Sequence, residues 1–475
     1  MSIYLIAVIV YLVFMALIGV FFARTSISNS DDFMVAGRSL PLFVVIGTLL
    51  ATFVGSGTVV GGASFIYQYG PWAAIWNLSG GFVGAIILYF IAGKIRQSEI
   101  YTVPEMMEKR FGASTRLISS IFILLAYVGI TAYQFTGGAY VLQLTTGIPL
   151  EIGAIIMFIL VVFLSMSGGL FSVAYSDALS AILIVIGFLI GIPFALNAVD
   201  GIEGLALSLP ETAKSWNGGL TLPQLIGFFL PLFLLVLGDQ NMYQRFAASK
   251  SQDVARKSAF GFVISNALVI FLTIILATTS IVLFPNITPD TAILQLAIDG
   301  LPLVIGLPIL CASVAFIITT GTSYLLSASG NIVHDLFLRY SKKEMSEKKL
   351  IWLNRFIILA LGTLAYVLGQ FFPSVLAIQM YSYTMYGAAI TPAILATFLW
   401  KRATKAGVLS SIVVGGTATM FWELALNRPL DWNSVLFALP LSVLTLIVVS
   451  LVTYKKDSYN ALESDQVAVS KVAKK

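Results

Sequence analysis

One cysteine, Cys311, and one histidine, His334, are the chain's whole supply of those two residue types in 475 positions. A single thiol excludes an intramolecular disulfide framework, and one histidine without cysteine partners leaves no cluster of the kind that holds zinc. Charge is scarce too: Asp, Glu, Lys and Arg together make up 10% of the residues, where a soluble domain carries about 25%. No polar stretch is long enough to enclose a soluble catalytic core or output domain, which disfavours an enzyme or a membrane sensor. Nor does a basic leader precede the first apolar segment, or a small-residue cleavage site follow it in "FFARTSISNS". That segment reads as a retained helix rather than a signal peptide.

What is there is apolar. Hydrophobic residues make up 58% of the chain, and the mean hydropathy is +0.95. Thirteen segments read as membrane helices, at about 3–22, 41–66, 72–95, 116–142, 149–167, 174–196, 223–245, 259–283, 303–333, 354–371, 375–400, 406–424 and 433–453. Each is near or above the roughly 20 residues that cross a ~30 Å hydrocarbon layer. The expected fold class is an all-α polytopic membrane protein.

Charge placement orients it. Taken alternately, one set of connections carries 25 of the 27 Lys and Arg, Arg245 among them, and the other set only Lys214 and Arg428. The positive-inside rule then puts the N-terminus outside and the C-terminal tail in the cytoplasm, in an inner or plasma membrane. No lysine or arginine falls in the expected mid-membrane zone. The net charge of +5 is spread over short loops, which fits contact with anionic lipid rather than binding of nucleic acid.

Two spans look broken. The second contains "ATFVGSGTVVGG", Ala51 to Gly62, and the seventh runs "GFFLPLFLLVLGDQNMYQRF". Open backbone at membrane depth is tolerable only inside protein or beside a water-lined cavity. Broken helices opening two halves of five spans each, 41–196 and 223–400, form the pattern of an inverted-repeat secondary transporter. Residues 1–40 then hold an extra helix and loop, 197–222 an outside connection, 401–454 two further helices and 455–475 a polar tail.

Small residues alone would serve close helix packing. A helix that loosens between Thr52 and Ser56 would also expose the carbonyls of Ala51 and Val54, neutral oxygens that suit a hard cation such as sodium. Span nine offers partners in "TTGTSYLLSASG", where Thr319, Thr320, Thr322, Ser323, Ser327 and Ser329 crowd one stretch. A lone intramembrane hydroxyl usually bonds back to its own helix, an account that becomes less sufficient for so dense a run. Asp177, in or near the hydrocarbon, suggests an ion path.

The stretches "DDFMVAGRSLP" (31–41), "ATFVGSGTVVGG" (51–62), "YTVPEMMEKRFG" (101–112), "GGLFSVAYSDALSA" (168–181), "GDQNMYQRFAASK" (238–250) and "TTGTSYLLSASGNIVHDLF" (319–337), in that order, resemble the sodium:solute symporters. That family includes sodium-coupled sugar, proline, pantothenate, monocarboxylate and sialic acid transporters. The resemblance covers about residues 3–453. It implies a ten-helix core of two inverted five-helix repeats, of the APC/LeuT-like kind, working by alternating access. It further implies a sodium site from the carbonyls of Ala51, Val54 and Phe316 and the hydroxyls of Thr319 and Thr320. A second sodium site, present in some relatives, would use Thr319, Thr322, Ser323 and Asp177.

By the same resemblance, Thr52, Phe53, Ser56, Trp76, Asn77, Phe233, Tyr383, Thr384 and Tyr386 are expected to line a central solute cavity. Phe53 stands where some relatives carry an acidic or amide side chain, so a proline or sugar assignment does not transfer simply. The expected cargo is a small uncharged, zwitterionic or carboxylate solute moved with Na+, with no organic cofactor and no obligate protein partner. A proton-coupled or weakly sodium-coupled carrier or exchanger is the alternative. It would ignore removal of the Thr319 and Thr320 hydroxyls.

Overall fold

The computed structural model describes residues 3–25, 30–98, 100–340 and 345–454; the polar tail at 455–475 lies outside them. The described residues are almost entirely helical. In chain order the main helices are α1 (Ile3–Thr25), α2 (Leu42–Ser56), α3 (Ala63–Gln97), α4 (Val103–Phe111), α5 (Ala113–Thr146), α6 (Leu150–Asn197), α7 (Leu222–Gly238) and α8 (Gln240–Ala248). They continue with α9 (Gln252–Leu283), α10 (Leu303–Gly330), α11 (Glu347–Gly369), α12 (Val375–Ala389), α13 (Thr391–Leu399), α14 (Lys405–Met420) and α15 (Val435–Thr453). Among the described residues, nine helices are long and apolar enough to cross a membrane.

Every expected span falls on helix, but two expected pairs are joined into one helical path. The segments 41–66 and 72–95 run together through α2 and α3, and turn sharply at Gly70 (φ 84°, ψ 166°) before Pro71. The segments 149–167 and 174–196 are both α6, bent at Gly169 (φ 57°, ψ −174°). Both turns need positive φ, which glycine adopts without the Cβ penalty. In the connection 197–222 two short helices form, Gly201–Ser208 and Glu211–Lys214. The second packs over the Gly70 turn, where a Cβ would lie 2.4 Å from the Ala213 carbonyl oxygen.

Helices apolar on all sides have two fates, burial in the bundle or contact with lipid. The α2–α3 path is buried for nearly all of its apolar window, whereas α15 is mostly outward-facing. Close approach at the centre depends on small residues. Gly47 of α2 sits against Ala178 of α6, where a Cβ would fall 2.5 Å from the Ala178 Cα. That crossing sets Thr48 beside Asp177. At one end of the bundle Arg110 donates to the carbonyls of Ala396, Thr397 and Trp400 at 2.9, 2.5 and 2.7 Å, satisfying the C-terminus of α13.

Candidate functional site

The glycine-rich stretch is a true interruption. At Gly55 the backbone leaves helical geometry (φ 7°, ψ −162°) and resumes as a turn of π-helix over Gly57–Gly62. Gly55 presses on α10, and a Cβ there would stand 2.6 Å from Thr320 Oγ1. Thr320 Oγ1 donates to the carbonyl of Ala51 at 2.9 Å and lies 3.4 Å from that of Thr52. Thr319 Oγ1 donates to the Phe316 carbonyl at 3.3 Å, and the Val54 carbonyl accepts from the Gly57 N–H. Thus α2 and α10 bring Ala51 and Thr320 into direct contact, with Thr319 and Phe316 on the same stretch of α10. Each hydroxyl uses its proton on a carbonyl and keeps lone pairs for a cation.

Asp177 is fully buried beside this break. Its Oδ2 accepts from Thr48 Oγ1 at 2.6 Å and Thr52 Oγ1 at 3.5 Å, and the Thr319 hydroxyl is also within reach of the carboxyl. Asp177 Oδ1 has no hydrogen-bond partner among the described residues. The Thr52 hydroxyl is therefore turned toward the carboxylate.

Arg245, counted in the sequence among the cations of the loops, is fully buried in the bundle. Its NH2 lies 3.8 Å from Asp177 Oδ2 and donates to Ser323 Oγ at 2.8 Å. Its Nε donates to Thr48 Oγ1 at 3.3 Å, and its NH1 to the Asn241 carbonyl and Oδ1 at 3.2 and 3.1 Å. The cause is the extended backbone of Asp239 (φ −62°, ψ 121°), after which α8 starts as a separate, wholly buried helix. A charge count by loops could not see that turn. Of the four residues expected at a second sodium site, Asp177 and Ser323 are in contact with Arg245, and Thr322 Oγ1 donates to the Thr319 carbonyl at 2.9 Å.

The second break, at Asp239, is plugged by tyrosines. Asp239 Oδ1 accepts from Tyr127 OH at 2.5 Å and from the Asn241 N–H at 3.1 Å, and Oδ2 from Tyr324 OH at 2.9 Å. Tyr386 OH donates to the Gly238 carbonyl at 2.9 Å and accepts from the Gln240 N–H at 3.1 Å. Tyr386, expected to line the central solute cavity, is thus part of this plug.

The other residues expected to line a solute cavity also divide. Ser56 donates from N and Oγ to Gln134 Oε1 at 3.0 and 2.7 Å, and the hydroxyls of Tyr133 and Tyr383 meet at 2.9 Å. A Cβ on Gly57 would lie 2.6 Å from Tyr383 OH and 3.1 Å from Gln379 Nε2. Phe53 is edge-on to Phe262 at 5.8 Å, Phe233 stacks on Phe229 at 5.8 Å, and Asn77 Nδ2 donates to the Phe228 carbonyl at 3.4 Å. Thr384 donates to Asn433 Oδ1 at 2.8 Å, and Trp76 is 39% exposed with its ring 6.3 Å from Trp216, as suits an outward anchor.

Four site residues escaped the sequence reading: Tyr133, Gln134, Arg245 and Gln379. Their signal was visible as polar groups inside apolar spans, which at membrane depth are expensive without a role. Gln134 Nε2 and Gln379 Oε1 are buried with no hydrogen-bond partner among the described residues, one a donor and the other an acceptor.

A family model described as the sodium:solute symporter family matches residues 33–415. The chain is 26% identical over 481 residues to the sodium/proline symporter of Haemophilus influenzae, covering 94% of each. It is 28% identical over 434 residues to the high-affinity proline transporter PutP of Bacillus subtilis, covering 86% of this chain and 89% of that one. A substrate-bound, outward-open Na+-coupled sialic acid symporter superposes with a TM-score of 0.81 at 18% identity, over 95% of this chain and 98% of the other. The two share a fold.

Proposed function

The chain belongs to the sodium:solute symporter family, and from that premise we propose that its two helix breaks form one alternating-access pathway, with sodium held between α2 and α10. It is a multi-pass, sodium-coupled secondary transporter of a small organic solute and not an enzyme. In the proposed site the carbonyls of Ala51, Val54 and Phe316 and the hydroxyls of Thr319 and Thr320 supply neutral oxygens. The observation that carries this reading is the contact of Thr320 Oγ1 with the Ala51 carbonyl at 2.9 Å, beside the one turn of α2 that leaves helical geometry.

The solute we assign to the polar cluster of Ser56, Tyr133, Gln134, Gln379 and Tyr383. The free donor of Gln134 and the free acceptor of Gln379 suit a small zwitterion or polar neutral molecule, with its acceptor on the first and its donor on the second. Proline, named for two of the relatives, has both groups. The thirteen-span topology, the inverted repeats at 41–196 and 223–400, and an outside N-terminus with a cytoplasmic C-terminus belong to the same proposal.

Coupling follows if sodium and solute both favour the outward-open state before closure, so that each tightens the other by the same factor. The membrane potential adds about 2.3 kcal/mol per charge for each ~100 mV. The test is the thermal stability of purified protein in sodium against potassium at equal ionic strength, with a panel of zwitterionic, neutral and anionic solutes. Sodium should raise the melting temperature, one zwitterion should raise it further, and a Thr319→Ala/Thr320→Ala protein should lose the sodium increment. Equal melting in both salts, with solute uptake in vesicles driven by a proton gradient alone, would overturn the reading.

A further inference from the structure

We propose that the groove between α13 and α15 is a binding site for one anionic phospholipid, with an acyl chain in the groove and the phosphate on the cations of the turn that follows α13. The leaflet follows from the cytoplasmic C-terminus proposed above; the site itself rests on neither the sodium nor the solute reading.

The groove is apolar and long. Pro392, Ala396 and Trp400 line it from one side and Val443, Leu446 and Ile447 from the other, around a volume of about 470 Å³. That volume falls within the roughly 300–1,000 Å³ of sites that hold one small ligand. Pro392 and Trp400 stand about 12 Å apart along the helix at ~1.5 Å per residue, so the slot follows the axis of α13 and suits an extended chain. Of the lining side chains only the Trp400 indole can hydrogen-bond, which leaves a polar occupant without partners.

One end of the groove is charged. The turn after α13 crosses to the end of α15: Thr404 N donates to Ser450 Oγ at 3.2 Å, and the hydroxyls of Thr404 and Thr453 meet at 2.6 Å. Lys401, Arg402 and Lys405 are exposed along that turn. They follow Trp400, an aromatic of the kind found at headgroup level. Ser450 and Thr453 lie one to two turns beyond Leu446 and Ile447, so the cations stand where the phosphate of a lipid with its chain in the slot would be. The helix dipoles agree. The C-terminus of α13 would repel an anion, but its carbonyls at Ala396, Thr397 and Trp400 accept from Arg110, and α14 presents its positive end at Lys405.

Both halves are met by one occupant. A zwitterionic lipid would bury the same chain but bring no net charge to the turn, whereas an anionic headgroup gains about fivefold in affinity for each cation near it. Ala396 and Trp400 are at once walls of the groove and acceptors of Arg110. Lipid in the groove therefore braces α13 against α15 and, through Arg110, against α4.

The experiment is native mass spectrometry of delipidated full-length protein offered equal amounts of dioleoyl phosphatidylglycerol and dioleoyl phosphatidylcholine. The parent should retain one phosphatidylglycerol per chain in preference to phosphatidylcholine, and its melting temperature should rise more with the anionic lipid. Arg402→Gln/Lys405→Gln should lose that preference, by roughly twenty-five-fold for two cations, and bind the two lipids alike. Ile447→Trp, which fills the groove from a position 40% exposed, should retain neither lipid and melt like the parent in detergent alone. Equal retention of the two lipids by the parent, or a preference that survives either variant, would overturn the proposal. So would a dimer of the parent that Ile447→Trp dissociates, since a second copy of the chain would then be the occupant. No readout involves sodium or solute, so failure here is distinct from failure of the transport reading.

Discussion

Thr320 Oγ1 donates to the carbonyl of Ala51 at 2.9 Å across 269 positions of sequence, and Gly55 lies against the same threonine. The contact exists because the helix breaks and because residue 55 has no side chain. Gly55→Ala would put a methyl 2.6 Å from Thr320 Oγ1 and 2.9 Å from its Cβ, closer than packed atoms tolerate. Overpacking of this kind costs about 1–3 kcal/mol. The expected result is a lower melting temperature together with weaker sodium activation of uptake, by roughly tenfold for each ~1.4 kcal/mol lost from the bound state. Sodium activation equal to the parent at matched protein amounts would separate the break from the ion.

Gln134 and Gln379 should report on the solute alone. Gln134→Ala removes the acceptor of the Ser56 N–H and hydroxyl as well as the free donor, and Gln379→Ala removes the free acceptor. Each should raise the KM for solute, by about ten- to a hundredfold for one or two lost hydrogen bonds, while sodium still stabilises the purified protein. An unchanged KM in both would move the solute elsewhere.

The tyrosine plug should hold the Asp239 break closed. Tyr127→Phe removes the 2.5 Å donor to Asp239 Oδ1 and leaves that oxygen with only the Asn241 N–H. A buried acceptor deprived of a partner costs on the order of 1–3 kcal/mol. The melting temperature of Tyr127→Phe should therefore fall, whereas Tyr381→Phe, made on the same bundle away from Asp239, should change little.

Glu108 gives a pH dependence at the end of the bundle. It accepts from Arg116 NH1 at 2.6 Å and Arg339 Nε at 2.8 Å, and Arg116 also holds Asp335 at 2.7 Å. Burial pushes the Glu108 carboxyl up, but the hydrogen bonds and charges of Arg116 and Arg339 outweigh it and hold the group below its ordinary value. A carboxylate with a depressed folded-state pKa stabilises above its unfolded value, about 4.3, and loses that contribution as pH falls through the folded value. Glu108→Gln should thus be less stable than the parent near neutrality and converge with it in acid. Parallel melting curves against pH would show that the ion pairs contribute nothing.

How far the sequence could be read follows from what each signal depends on. Apolar length is a local property, because every backbone group in hydrocarbon must be satisfied within its own helix. All thirteen expected spans accordingly fall on helix, and glycine density marked the Gly55 break, since glycine is where a helix opens at least cost. The hydroxyl run of α10 and the carboxylate of Asp177 were legible for a related reason: polar atoms in lipid stand out against their neighbours.

Direction was not legible. Trp76 and Asn77 are adjacent in sequence, yet one is 39% exposed and the other 1%, because successive helix positions point about 100° apart and only packing says which way is in. Tyr383 and Tyr386 part company similarly, one to each break. Arg245 shows the limit most clearly. In sequence it is counted with the cations of the loops, close to Lys250, but the turn at Asp239 carries it inward to Ser323, Thr48 and Asp177. The sequence by itself determined that this is a helical membrane protein with a broken helix and a store of neutral oxygens. Only the tertiary structure decided which oxygens meet and which cation already faces them, because both depend on contacts between helices distant in the chain.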